Sequence, residues 1–385
     1  MALPVGLTPS AAAADVQSQQ WYLSPMKADQ MWKVSTGKGV KVAVVDTGVN
    51  AATSSLKGQV LAADVPKSVS YGDTNDYTGH GTTIAELIAG TGAGGGLKGL
   101  APGAKIVPYR LALKGLKDKA EIKKAPALTA VIRAIANSDA KIINMSFGGD
   151  ISYDEEEAAM KYAASKGKLM FAGSGNDAQT TNNNLYPASY PYVVGVSASD
   201  KTGTVGKFST HGRYVDLAAP GVNVPAWCDA TFRSYCTHAY GTSMATAVAS
   251  ASAALIWSAH PNWTADQVLR SLIDTAGRDW PKDTPSNYLG YGLIRPRMVL
   301  ENPNYNPGPA NVDPLAKENS AGNNGASPST SSSPAKSSSG GQTSATGETS
   351  KSSGGALPWV AVGAVAALVV IGGAAFAVIR SRRRA

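Results

Sequence analysis

The chain is 385 residues long, with 43% hydrophobic and 16% charged residues, too apolar for a disordered chain and below the roughly 25% charge of an ordinary soluble domain. Its formal charge is +8, but Arg380, Arg382, Arg383 and Arg384 crowd four positive charges into its last residues, which argues against the spread basic face a nucleic-acid partner requires. Only two cysteines are present, Cys228 and Cys236, which excludes a multi-thiolate zinc site and a disulfide-dense scaffold.

Residues 1–19 begin MALPVGLTPSAAAADV. They resemble the end of a signal peptide cut before Asp15 but lack its basic start, so they read as a signal remnant or as an N-terminal extension. Residues 20–301 then alternate apolar, β-branched runs with small-residue helical stretches. Strands are predicted over 40–45 (VKVAVV), 106–111, 141–145, 168–172 and 192–197, and helices over 82–89, 128–137, 153–165 and 243–259. This alternation predicts an α/β domain, a parallel sheet covered by helices on both faces, with its ligand site at the carboxyl ends of the strands.

Residues 302–356, rich in Pro, Ser, Gly and Asn, offer almost no large apolar surface to offset ordering entropy and read as a disordered tether. As a flexible coil it would span about 40 Å. Residues 357–379, LPWVAVGAVAALVVIGGAAFAVI, carry no charge and stop against the arginines of 380–385. A helix of that length is about 34 Å long and crosses a hydrocarbon core of about 30 Å. Positive charge stays inside, so the tail is expected in the cytoplasm and the domain outside, anchored by one membrane pass.

Three local sequences fall where strands end or helices start. Asp46 in DTG closes the first strand, His80 in GHGT opens a helix, and Ser243 in GTSMA opens the long Ala/Ser-rich helix. A hydroxyl, an imidazole to take its proton and a carboxylate to hold that imidazole are what nucleophilic acyl transfer needs. Taken singly, each is also a turn residue, a loop residue or an N-cap. Their order and wording resemble the subtilisin-like serine proteases, and the resemblance runs over about residues 20–300. It includes Asn144-Met145-Ser146-Phe147-Gly148-Gly149 and Ala172-Gly173-Ser174-Gly175-Asn176.

That resemblance implies roles residue by residue. Ser243 is the nucleophile, His80 the general base and acid, Asp46 its orienter, and Asn176 an oxyanion donor together with the Ser243 N–H. Ser146, Phe147 and Gly148 would pair with an extended peptide or protein substrate, and Leu185, in Asn184-Leu185-Tyr186-Pro187, would stand where the family commonly has the glycine of a deep P1 pocket. Leu185 then either fills that pocket or turns outward onto neighbouring loops. His211, His238 and His260 lack comparable settings. Cys228 and Cys236 flank a short loop in a predicted hairpin, and outside the cytoplasm a disulfide is the natural reading. No cofactor or metal is expected: the loop at 92–98 has no carboxylate for calcium, and its glycines follow a helix, unlike a dinucleotide fingerprint.

An exported catalytic domain, a short stretch before it, a low-complexity tether, one membrane helix and a basic tail also resemble the mycosins, membrane-anchored subtilases associated with actinobacterial type VII secretion. The resemblance implies a secretion complex as partner. The alternative is a scaffold of such a complex that keeps the fold with lost or secondary chemistry.

Overall fold

The computed structural model describes residues 16–321. The span expected at 357–379, the basic tail and most of the tether lie outside them. Among the described residues no helix is long and apolar enough to cross a membrane.

A six-stranded sheet forms the centre: β1 (Lys41–Asp46), β2 (Lys105–Arg110), β3 (Ile142–Met145), β4 (Leu169–Gly173), β5 (Val193–Ser199) and β6 (Leu217–Pro220). Its order is β2-β1-β3-β4-β5-β6 and every pairing is parallel. The Val-rich runs suit strands buried on both faces. Alternation sorts β1 cleanly: Val42 and Val44 join one core cluster, Ala43 and Val45 the other.

The helices, in chain order, are α1 (Ala28–Met31), α2 (His80–Ala89), α3 (Lys119–Lys124), α4 (Leu128–Ala136), α5 (Asp154–Ser165), α6 (Thr242–Ala259), α7 (Ala265–Thr275), α8 (Arg297–Leu300) and α9 (Ala316–Ala321). Residues of α2, α6 and α7 fill the core on one face of the sheet, and those of α4 and α5 fill the other. Helix α6 is buried along nearly its whole length, as its all-round Ala, Ser and Val composition requires. Its polar side chains are absorbed locally: the Ser250 hydroxyl donates to Asn144 Oδ1 at 3.0 Å, and Asn144 Nδ2 donates to Ser146 Oγ at 2.9 Å.

The expected strands and helices form within about two residues of their predicted bounds, with α2 starting at His80 and α6 at Thr242. Beyond them the structure adds β6, α3 and α7, and the hairpin expected around Cys228 and Cys236 forms as antiparallel β7 (Val222–Trp227) and β8 (Tyr235–Tyr240).

The tether begins later than its composition suggested. Residues 302–321 are seated on the domain, with Leu315 only 2% exposed. Gln267 Nε2 donates to Gly308 O at 2.9 Å, and Asn319 Oδ1 accepts the Tyr192 N–H at 2.7 Å. A few anchors at the right spacing thus hold a segment whose average composition is that of a coil. At the other end Val16 is buried, so the folded body starts ahead of residue 20.

Candidate active site

Asp46 ends β1 at the carboxyl edge of the sheet and is fully buried. Its Oδ1 accepts the Thr47 N–H at 2.8 Å and lies 2.7 Å from His80 Nδ1. The glycines of the two motifs make this approach possible. A Cβ on residue 81 would sit 2.1 Å from Gly48 O and 3.1 Å from Asp46 Cβ, so α2 reaches the strand end only with Gly81.

With its Nδ1–H donating to Asp46 Oδ1, the ring presents Nε2 as the basic nitrogen. Burial works to lower the His80 pKa, but the Asp46 charge, the hydrogen bond to it and the Asp76 charge outweigh it and hold the ring above its ordinary value.

Asp76 joins the site without a sequence motif of its own. It is 8% exposed, and its Oδ1 accepts the Thr47 hydroxyl at 2.8 Å, the Thr78 N–H at 3.0 Å and the Gly79 N–H at 2.9 Å. Its Oδ2 accepts the Thr82 N–H at 2.8 Å and hydroxyl at 2.7 Å. It thus satisfies orphan donors at the start of α2 and, through Thr47, ties that turn to Asp46. An Asp four residues before a histidine reads as a turn residue; its spacing from Thr82 was the available signal.

Ser243 lies in the first turn of α6, where the helix dipole favours developing negative charge. Its hydroxyl donates to Ser146 O at 3.0 Å, and the Ser146 hydroxyl donates to Ser243 O at 3.0 Å. The serine is therefore turned to β3's exit loop rather than hydrogen-bonded to the His80 ring. Asn176 follows β4. Its Oδ1 accepts the Thr242 N–H at 3.0 Å, and a backbone N–H can only donate, so the amide orientation is set. Nδ2 consequently faces the Gly241–Ser243 turn, 3.7 Å from where a Gly241 Cβ would lie.

Leu185 is 9% exposed. Its side chain lies between the segments that carry Ser146-Phe147-Gly148 and Asn176: its Cβ is 3.3 Å from a Cβ built on Gly148, and its Cδ1 2.3 Å from one built on Gly175. Gly175 has φ +115°, so this wall depends on glycine twice, for its backbone and for the room it leaves. Gly149 and Tyr186 exchange backbone hydrogen bonds of 2.9 and 2.7 Å, which fixes the two segments side by side.

Cys228 and Cys236 form a disulfide, Cα to Cα 5.0 Å. The hairpin it closes rests on α2, where the Trp227 N–H donates to Thr83 Oγ1 at 3.0 Å. Beneath it Glu86 is fully buried and accepts the Thr53 and Tyr235 hydroxyls at 2.7 and 2.8 Å. Burial pushes the Glu86 carboxyl up to about 7, partly offset by those hydrogen bonds. Between the ordinary 4.5 and about 7 the native state holds a proton that the unfolded chain has lost, so this residue makes stability fall as pH rises through that window. The loss amounts to about 3 kcal/mol. In urea unfolding, the stability difference between native chain and Glu86→Gln should shift by that amount from about pH 4.5 to about pH 8; parallel curves would contradict it.

The loop at 92–98 is closed by side-chain donors, with Gln17 Nε2 on Gly92 O at 2.8 Å and the Ser55 hydroxyl on Leu97 O. His211 and His260 stack on Tyr288 and Trp263, at 4.2 and 3.9 Å, and His238 is exposed on β8.

The subtilase family (peptidase S8) matches residues 37–292. The chain is 35% identical over 285 residues to the minor extracellular protease Epr of Bacillus subtilis (strain 168), covering 72% of this chain and 41% of that protein. It is 32% identical over 325 residues to fervidolysin of Fervidobacterium pennivorans, covering 75% and 44%, so it spans less than half the length of either. With subtilisin E of Bacillus subtilis (strain 168) the identity is 33% over 295 residues, covering 74% and 72%. Among solved structures, the MycP3 protease from the type VII (ESX-3) secretion system superposes with TM-score 0.62 at 27% identity, covering 75% of this chain and 90% of that one. The family match spans the sheet, α2 and α6, and so takes in Asp46, His80, Asn176 and Ser243 alike: the chain belongs to the subtilase family.

Proposed function

We propose that the chain is a serine endopeptidase working through Asp46, His80 and Ser243. The observation that carries this is the 2.7 Å contact of buried Asp46 with His80 Nδ1, with Ser243 on the α6 turn that Asn176 also holds. Rotation of the Ser243 hydroxyl from Ser146 O toward His80 Nε2 starts the reaction and frees that carbonyl to accept a substrate N–H. Oγ then attacks the scissile carbonyl carbon as its proton passes to Nε2, and Asp46 stabilises the imidazolium. Asn176 Nδ2 and the Ser243 N–H receive the oxyanion. Collapse breaks the C–N bond, the leaving amine takes the Nε2 proton, and water admitted by the same base hydrolyses the acyl ester to a carboxylic acid.

Leu185 fills the floor of the P1 pocket, so small P1 residues such as Ala are preferred over Phe. Overpacking of this kind costs about 1–3 kcal/mol, roughly 5- to 150-fold in kcat/KM. A peptide library varied at P1 checks this, and Leu185→Gly should move acceptance toward Phe. Equal or better turnover of Phe by the native chain would reject the filled pocket.

The finer reading is a protease anchored by 357–379 with its domain outside the cytoplasm, possessing a mycosin's architecture and processing type VII secretion substrates. The uncharged span, the arginine tail and the likeness to MycP3 support it. Protease shaving of intact cells should release the domain by cutting within 322–356; a domain reached only after lysis would overturn the orientation. The turn of Ser243 toward Ser146 favours a second reading, a subtilase-fold scaffold of a secretion complex.

A further inference from the structure

The segment that leaves β2 passes close to the residues preceding His80 and carries lysines that the reaction itself does not use. In the parallel sheet β1 lies between β2 and β3, so the chain leaving β2 and the chain leaving β3 rise on either side of Asp46. The β3 exit is Ser146-Phe147-Gly148. The β2 exit starts with the Leu111 N–H on Asp46 O at 2.8 Å. It is then pinned by Tyr77, whose hydroxyl donates to Leu111 O at 3.0 Å and accepts the Leu113 N–H at 2.8 Å. A Cβ on Gly115 would lie 3.1 Å from Thr78 Cγ2, so residues 111–115 run along Tyr77 and Thr78, just ahead of His80.

From there the segment carries Lys114, Lys117, Lys119, Lys123 and Lys124. Its two acids are already committed. Asp118 caps α3 by accepting the Ala120 and Glu121 N–H groups, and Glu121 pairs with both Arg110 and Lys124 at 3.2 Å. Lys117, Lys119 and Lys123 are exposed and have no ion pair among the described residues. Past the β3 exit the sign reverses, with exposed Asp150 and then Asp154, Glu155, Glu156 and Glu157 opening α5. An acidic peptide is therefore drawn to the β2 side and repelled from the other.

We infer that residues 114–123 form a specificity wall selecting acidic residues at P3 to P6, so that the preferred substrates are peptides with an acidic stretch shortly before the scissile bond. This rests on the protease reading and names the substrate class for that site. Exposed charge pairs are individually weak and screened by salt. Several acting together give about a 3- to 10-fold preference.

Internally quenched peptides sharing one P2–P1 pair and carrying Glu, Gln or Lys at P3 to P6 test it on the full chain. The expected order of kcat/KM is Glu over Gln over Lys at about 50 mM salt, collapsing toward equality at about 500 mM. The double variant Lys117→Glu with Lys119→Glu should reverse it. Binding of the same peptides to Ser243→Ala protein, followed by fluorescence anisotropy, should show the same order in Kd. Cleavage without a Glu preference, or a preference that survives charge reversal, overturns the wall and leaves the protease reading standing. Ordered binding without any cleavage supports the wall and counts against the protease reading.

Discussion

Replacing Ser243 with alanine is expected to lower peptide turnover by on the order of 10⁶-fold, the scale seen when a subtilisin triad loses its nucleophile. The hydroxyl oxygen is the atom that bonds to the substrate carbon. His80→Ala should cost about as much, and the double variant should be no worse than either single one, because the two act as one proton-transfer unit. Loss of the Ser243 hydroxyl removes one hydrogen bond, to Ser146 O, worth about 0.5–1.5 kcal/mol, so the variant should keep its fold and near-native Tm. More than about a hundredth of native turnover in folded Ser243→Ala protein would sink the triad assignment. Because Asp46 and Asp76 hold the His80 pKa above its ordinary value, the rise of activity with pH should be centred above that of a free imidazole.

The second large effect is expected at Asn176. Its Nδ2 faces the Ser243 turn while its Oδ1 is held by Thr242, so the donor is oriented before substrate arrives. Asn176→Ala should lower kcat by about 10²–10³-fold with little change in KM, the size established for the corresponding donor in subtilisin. Asn176→Asp separates chemistry from packing: it can still accept the Thr242 N–H but places a negative charge where the oxyanion forms. It should fold and lose at least as much activity. If Asn176→Asp retained near-native kcat, the oxyanion role would be wrong.

Much of the fold was legible because local and tertiary preferences agree. The run at 40–45 can only be a buried strand or a helix fragment, and its β-branched residues decide it. What was missed was short or locally ambiguous. Leu217–Pro220 is a four-residue edge strand ending in proline, below the length at which periodicity speaks. Helix α7 carries its own signals, the Thr264 and Gln267 capping box and the apolar stripe of Val268, Leu269, Leu272 and Ile273. The average composition of residues 302–321 is that of a coil, whereas Leu315 and Asn319 anchor it singly. In the site, Asp46, His80, Asn176 and Ser243 were legible from their motifs. Asp76 and Glu86 were not, because a loop carboxylate and a helix-interior carboxylate reveal nothing until the partners that bury them are in place.

Peptide hydrolysis here requires Ser243 to be an activated nucleophile and not a structural serine bonded to Ser146. Labelling of the folded full chain with a serine-reactive fluorophosphonate tests this most directly, with the modified residue located by peptide mass analysis. Covalent modification at Ser243, abolished in both Ser243→Ala and His80→Ala proteins, is the predicted result. Failure of Ser243 to label in folded protein above the His80 pKa would contradict the protease and favour the scaffold.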